Sequence, residues 1–169
     1  GSPVVLQNPR AAIEHGIGMV HQHFMLVPVL TVWENIVLGQ SGLPFVINKN
    51  EIIARIKEIS QKYGLDVDPT KKIWELSIGE QQRVEILKML YRGTKVLVLD
   101  EPTSVLTPQE TRELFKTLKN MVAAGHGIVL ISHKIEEIMA ISDRLTVLRK
   151  GELIATKSAV NTTREEIAE

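Results

Sequence analysis

The sequence contains no cysteine. Disulfides, thiolate metal ligands and a cysteine nucleophile are therefore excluded, and the chain suits a reducing compartment. It carries no net charge either: Lys+Arg and Asp+Glu both number 20, so bulk charge gives no support to a nucleic-acid-binding or membrane-surface role. No apolar run approaches the ~18 residues of a membrane span, and the first residues lack a signal-peptide pattern. If such a protein serves a membrane, the expectation is that it does so from the side, through a partner. Internal repeats and low-complexity stretches are absent too. What is present is 169 residues, enough for one compact domain with a sizeable core. Gly1-Ser2 has the form of a cloning remnant, so the expectation is that the chain begins at a cut.

Short apolar runs alternate with amphipathic segments, the pattern of an α/β domain. Asn8-Pro9 opens a short helix that Gly16 ends, and Ile17 to Val20 reads as a buried strand delivering His21 and Gln22 to its end. Thr31 and Glu34 are spaced as a capping box for a helix running to Leu38. Gly39 to Asn48 reads as a loop. Ile52, Ile53, Ile56, Ile59 and Tyr63 recur at helical spacing until Gly64 stops the helix. A further helix starts at Ser77, with Glu80 as reciprocal cap, and runs to about Tyr91. Val96 to Leu99 reads as a strand buried on both faces. Thr107-Pro108-Gln109-Glu110 caps a helix with Leu114, Phe115, Leu118, Met121 and Val122 on one face. Ile128 to Ile131 reads as another buried strand, followed by a short helix to about Ile141. Leu145 to Leu148 and Leu153 to Ala155 form a hairpin through Lys150-Gly151, and Thr162 with Glu165 caps a last helix.

Two segments carry chemistry. Val96-Leu97-Val98-Leu99 runs into Asp100-Glu101-Pro102-Thr103, placing two carboxylates at the C-terminal end of an apolar strand, where open α/β sheets hold their ligands. Asp100 there would hold Mg²⁺ beside phosphates, and Glu101 would accept a proton from an attacking water. Two loop carboxylates capping the next helix are the plainer alternative for an isolated Asp-Glu. Leu76-Ser77-Ile78-Gly79-Glu80-Gln81-Gln82-Arg83 sets a Ser and a Gly at a helix start, where free N–H groups accept a phosphate. Taken alone, an ordinary capped helix is the favoured explanation.

The order Gln22, Leu76-Ser77-x-Gly79, Leu99-Asp100-Glu101-Pro102-Thr103 and His133 resembles the ATP-binding cassette (ABC) ATPases over nearly the whole chain. The resemblance implies a P-loop NTPase (RecA-like) α/β core with an ABC helical subdomain. The helical subdomain and signature helix would span about 29–92, the Walker B and switch-histidine core 93–156, and the start of a C-terminal helix 157–169. It further implies that Gln22 is the Q-loop glutamine touching Mg²⁺ and water and sensing a membrane subunit. Ser77 and Gly79, with Gln81 beside them, would contact ATP bound to the opposite domain. Asp100 would be the metal ligand, Glu101 the catalytic base and His133 the switch histidine. His15, His21, His23 and His126 have no such support, and a His21/His23 metal site lacks a third ligand.

Met19-Val20-His21-Gln22-His23-Phe24-Met25-Leu26-Val27-Pro28 and Gly79-Glu80-Gln81-Gln82-Arg83-Val84-Glu85-Ile86-Leu87-Lys88 are similar to the first of two fused ATPase domains in sugar and nucleoside importers. Val105-Leu106-Thr107-Pro108-Gln109-Glu110 leans to the purine-nucleoside branch. The implied cofactors are ATP and Mg²⁺. The implied partners are a second ABC ATPase domain and transmembrane permease subunits, with no nucleic acid, and membrane contact only through those partners. The implied place is the cytoplasmic face of a bacterial inner membrane.

The sequence departs from the family at one large point. No Gly is followed by Lys, so the Walker A pattern G-x-x-x-x-G-K-[ST] is absent. That loop supplies the N–H cradle and the Lys for the phosphates. Both ends therefore read as cut, strands such as Val96 to Leu99 are expected to lose partners, and the chain alone is expected to bind ATP poorly. Ile78, Glu80 and Thr107 are smaller departures, in the signature and in the loop after Walker B. Two other readings stand beside the importer: a soluble ABC ATPase acting on ribosomes or DNA, and a non-catalytic piece offering the Q-loop and signature surfaces to partners.

Overall fold

The computed structural model describes residues 4–40, 48–164 and 166. Most of the expected Gly39–Asn48 loop, and Glu165, lie outside the described residues.

Each helix start follows from local side-chain chemistry. Asn8 caps α1 (Pro9–Glu14) through its side-chain oxygen, and β1 (Ile17–Val20) follows directly. Reciprocal Ser/Thr–Glu boxes start α2 (Val32–Val37), α4 (Ile78–Tyr91) and α5 (Pro108–Ala123) at Thr31, Ser77 and Thr107, satisfying N–H groups that a helix start leaves free. Asn48 caps α3 (Lys49–Tyr63), and Gly64 ends it at φ 70°, a left-handed stop that glycine adopts without steric cost. β2 (Val96–Asp100), β3 (Gly127–Ile131), α6 (Ile135–Ile141), β4 (Arg144–Arg149) and β5 (Glu152–Ser158) complete the order.

β1, β2 and β3 form a parallel sheet in that order, with Val20 opposite Leu99 and Leu99 opposite Leu130. Their C-terminal ends therefore lie along one edge, which carries Gln22, Asp100-Glu101 and Ser132-His133. One face of the sheet is closed: Val20, Leu97 and Leu99 join Ile36, Ile56, Val84, Ile86, Leu118 and Met121 in the core. α4 packs against β1, α2 and α3, and α5 against β3.

The other face corrects the sequence reading. β2 is not buried on both faces; Leu97 and Leu99 are buried, whereas Val96 and Val98 are half-buried. β3 is less buried than expected, with Val129 and Ile131 about half exposed. No described element covers that face. Nor has β2 lost its partners, since it pairs on both sides. The edges without a described partner belong to β1 and β3. Between β3 and β4 lies an apolar cleft of about 1060 Å³ into which Val122 also faces, so Val122, expected on the buried side of α5, is 49% exposed.

β4 and β5 form a separate antiparallel hairpin. Lys150 and Gly151 turn it with φ 53° and 83°, the two positive values that match a tight turn to the strand twist. β5 continues to Ser158, beyond the expected boundary at 157. The last cap also shifts by one residue. Thr162 Oγ1 donates to Ser158 C=O at 2.7 Å, and the reciprocal pair is Thr163–Glu166, with Thr163 N–H donating to Glu166 at 3.3 Å and Glu166 N–H to Thr163 Oγ1 at 3.4 Å. The 3₁₀ turn Ala159–Asn161 after β5 uses up Thr162.

Candidate nucleotide-hydrolysis site

Asp100 closes β2 and Glu101 follows it in a left-handed conformation, φ 48°. For a residue with a side chain this conformation costs on the order of 1 kcal/mol, and such outliers gather at functional sites. Three bonds hold it. Glu101 N–H donates to Ile131 C=O at 2.9 Å, while Glu101 C=O accepts from Ser104 N–H at 3.1 Å and Ser104 Oγ at 2.9 Å. The result turns the Glu101 carboxylate toward the end of β3, where His133 Nδ1 meets Oε1 at 2.7 Å. A carboxylate only accepts, so His133 carries a proton on Nδ1 and leaves Nε2 for a ligand. Glu101 is largely covered, with 20% of its side chain exposed against 73% for His133.

Asp100 is half-buried, and its carboxylate accepts no hydrogen bond from a described residue. Gln22, two residues past the end of β1, is exposed on the same sheet edge. A hard divalent cation needs one or two protein carboxylates, the rest of its oxygen shell coming from water and substrate phosphate. An uncommitted Asp100 with the Gln22 amide beside the same edge fits that donor set.

The signature residues stand elsewhere, at the first turn of α4. Ser77 Oγ accepts from Glu80 N–H at 3.3 Å, and Ser77 N–H donates to Glu80 at 2.8 Å. Gln81 Nε2 donates to Leu76 C=O at 3.1 Å. Among the described residues no hydrogen bond joins Ser77, Gly79 or Gln81 to Glu101 or His133.

Gly79 has a reason of its own to be glycine. A Cβ there would lie 2.5 Å from Glu110 Oε1. The other oxygen of the Glu110 carboxylate accepts from Thr107 N–H at 2.9 Å and Thr107 Oγ1 at 2.8 Å. The Thr107 N–H and hydroxyl, with smaller help from Gly79 N–H and Arg83, hold Glu110 below the ordinary glutamate range. Ser77 N–H does the same for Glu80. One carboxylate thus joins the starts of α4 and α5.

Sequence reasoning missed three further ties. The buried Gln82 amide donates to Pro102 C=O at 2.7 Å, linking α4 to the turn after Glu101. Lys134 Nζ donates to Thr103 C=O at 3.0 Å, and the Thr103 hydroxyl donates to Glu137, fastening the same turn to α6. Glu85, Lys88 and Asn35 hold the backbone after Gln22. Only Glu85 left a visible signal, a carboxylate between Val84 and Ile86 in an otherwise apolar stretch.

The three-stranded parallel sheet with helices packed on one face is part of the α/β core of the P-loop NTPase fold. The chain belongs to the ABC transporter family, whose profile matches residues 3–104. It is 48% identical over 169 residues to the guanosine import ATP-binding protein NupO of Bacillus subtilis, covering 99% of this chain and 33% of that protein. Over 198 aligned residues it is 43% identical to the glucose import ATP-binding protein TsgD13 of Haloferax volcanii, covering 100% and 36% respectively. The chain thus spans about a third of the length of the curated relatives it matches. Among solved structures, the dimeric post-hydrolysis state of the ATP-binding cassette MJ0796 bound to ADP and Pi superimposes with a TM-score of 0.72 at 25% identity, covering 91% of this chain and 68% of that one.

Proposed function

We propose that this chain is the hydrolytic part of the first ATPase domain in an importer's ATP-binding subunit, with a sugar or nucleoside as the transported compound. The observation that carries the reading is the Glu101–His133 pair at 2.7 Å, formed at the sheet edge that also bears Asp100 and Gln22. Glu101 takes the proton of the attacking water. His133 orients Glu101 through Nδ1 and offers Nε2 to the γ-phosphate. Asp100 and Gln22 would hold Mg²⁺, which when bound would neutralise charge on the phosphates. Ser77, Gly79 and Gln81 serve the nucleotide bound to a second ATPase domain, the role that their resemblance to the ABC signature motif implies. The names of the relatives, guanosine and glucose import proteins, support the substrate classes.

Without the Walker A pattern, this chain by itself binds MgATP weakly and turns over little. No helix among the described residues is long and apolar enough to cross a membrane, and attachment to the cytoplasmic face of the membrane runs through permease subunits. Fractionation of the full-length parent tests the class: recovery of MgATPase with membranes supports the importer, and recovery with ribosomes or DNA overturns it.

A further inference from the structure

We infer that Thr103, Lys134 and Glu137 are positioning residues that set Glu101 against His133, so that their loss slows hydrolysis without weakening nucleotide binding. The inference rests on the importer reading above and concerns the chemical step of that same site. Glu101 and His133 lie on the loops that leave two neighbouring strands, β2 and β3, and their contact needs both loops held in register. Two side-chain bonds join these loops besides the pair itself. Lys134 Nζ donates to Thr103 C=O at 3.0 Å, and the Thr103 hydroxyl donates to Glu137 Oε2. Lys134 Nζ also lies 3.2 Å from Glu137 Oε1. One lysine and one glutamate thus occupy both the carbonyl and the hydroxyl of a single threonine. Lys134 N–H meanwhile donates to Ser132 Oγ at 3.1 Å, closing a short loop around His133.

The start of α6 shows what these bonds displace. α1 to α5 each begin on a side-chain cap. In α2, α4 and α5 the glutamate three residues past the cap turns back to the cap's own N–H. Glu137 holds that position in α6, yet it reaches Thr103 and Lys134 Nζ instead, and the helix has no side-chain cap. The cap residue itself is Lys134, a cation at the helix end where the dipole favours an anion. Such a start is unfavourable for α6 by itself and is accounted for by the tie to Thr103. Thr103 is 1% exposed and stands two residues beyond Glu101. The left-handed backbone of Glu101, φ 48°, persists only where its surroundings over-determine it. Gln82 grips Pro102 from α4, and the Thr103 bonds grip the next residue from the segment that carries His133.

The test uses the full-length parent, with MgATP as the probe, in steady-state and single-turnover hydrolysis. Thr103→Val keeps the buried shape and removes the hydroxyl, Thr103→Ser keeps the hydroxyl, and Lys134→Met removes the donor to Thr103 C=O. Thr103→Val and Lys134→Met lower kcat about 10-fold with KM for MgATP within about twofold, because small misplacements of reacting groups carry such penalties. Thr103→Ser retains the wild-type rate. In a His133→Ala background Thr103→Val changes the residual rate by less than about twofold, since the partner it sets is already gone. Wild-type kcat in folded Thr103→Val overturns the inference, and wild-type kcat in Lys134→Met does so should Thr103→Val fail to fold. So does an equal loss of rate with and without His133, which marks a purely structural bond. If the wild-type parent hydrolyses no MgATP, the importer reading fails, and the imidazole nitrogen NMR shifts of His133 decide this inference separately. They report the Nδ1–H form in the wild type; a mixture of tautomers in Thr103→Val supports the inference, and an unchanged Nδ1–H form overturns it.

Discussion

Replacing Gly79 with alanine tests the contact that joins the signature turn to α5. The new Cβ falls 2.5 Å from Glu110 Oε1 and 3.0 Å from its Cδ. The carboxylate cannot retreat freely, because its other oxygen holds the Thr107 N–H and hydroxyl at 2.9 Å and 2.8 Å. Alanine gains up to about 1 kcal/mol of helix propensity over glycine. Against this stand about 1 kcal/mol for a lost cap at α5 and about 1 kcal/mol for overpacking against the Glu110 carboxylate. The net expectation is a loss of about 1 kcal/mol, or about 2–4 °C in Tm for a domain of this size. In a Glu110→Ala background the Cβ has room, and Gly79→Ala becomes neutral or stabilising. A double-mutant cycle by urea unfolding then gives a coupling of about 2 kcal/mol. Additive effects of the two substitutions would refute the proposed reason for the glycine.

Acid should weaken the capped helices. Glu34, Glu80 and Glu110 are lowered chiefly by the Thr31 hydroxyl, the Ser77 N–H and the Thr107 N–H respectively. A folded pKa below the unfolded one contributes stability that is complete above the ordinary glutamate value, about 4.3, and is lost as pH falls through the lowered values. Tm against pH should accordingly fall in acid, and less steeply in a Glu34→Gln, Glu80→Gln, Glu110→Gln variant; parallel curves would assign the acid sensitivity elsewhere. Gln82→Ala should cost about 2–3 kcal/mol in urea unfolding, because it leaves the buried Pro102 C=O unpaired and opens a cavity. A cost under about 0.5 kcal/mol, the level of an ordinary surface change, would remove that bond from the account.

Much of this fold was legible because its helix starts are local. Thr31–Glu34, Ser77–Glu80 and Thr107–Glu110 each form the expected reciprocal box, since a cap depends on residues three apart and on little else. Thr162–Glu165 misled because the neighbouring pair Thr163–Glu166 offers the same chemistry one step later, and β5 with its following turn decides between them. Strand burial was less legible. Val96 and Val98 have the composition of fully buried residues, yet what covers a strand's faces is set by elements distant in sequence. At the candidate site, Asp100 and Glu101 were proposed from a strand end and His133 from the resemblance, while the meeting of Glu101 with His133 rests on the left-handed backbone at Glu101, which no sequence pattern displays. Glu110 was readable as a cap for α5 but not as a neighbour of Gly79. Glu85 stood in a quoted motif without a role, because its partner, the Met25 backbone, is 60 positions away.

The central claim is that Glu101, oriented by His133, activates water for attack on ATP. The most direct measurement is single-turnover hydrolysis of MgATP by the full-length parent and its Glu101→Gln variant, with nucleotide affinity measured alongside. The account predicts unchanged MgATP affinity and a hydrolysis rate lower by about 10²–10⁴-fold, the range for loss of a positioned general base. Wild-type turnover in the Glu101→Gln variant would contradict it.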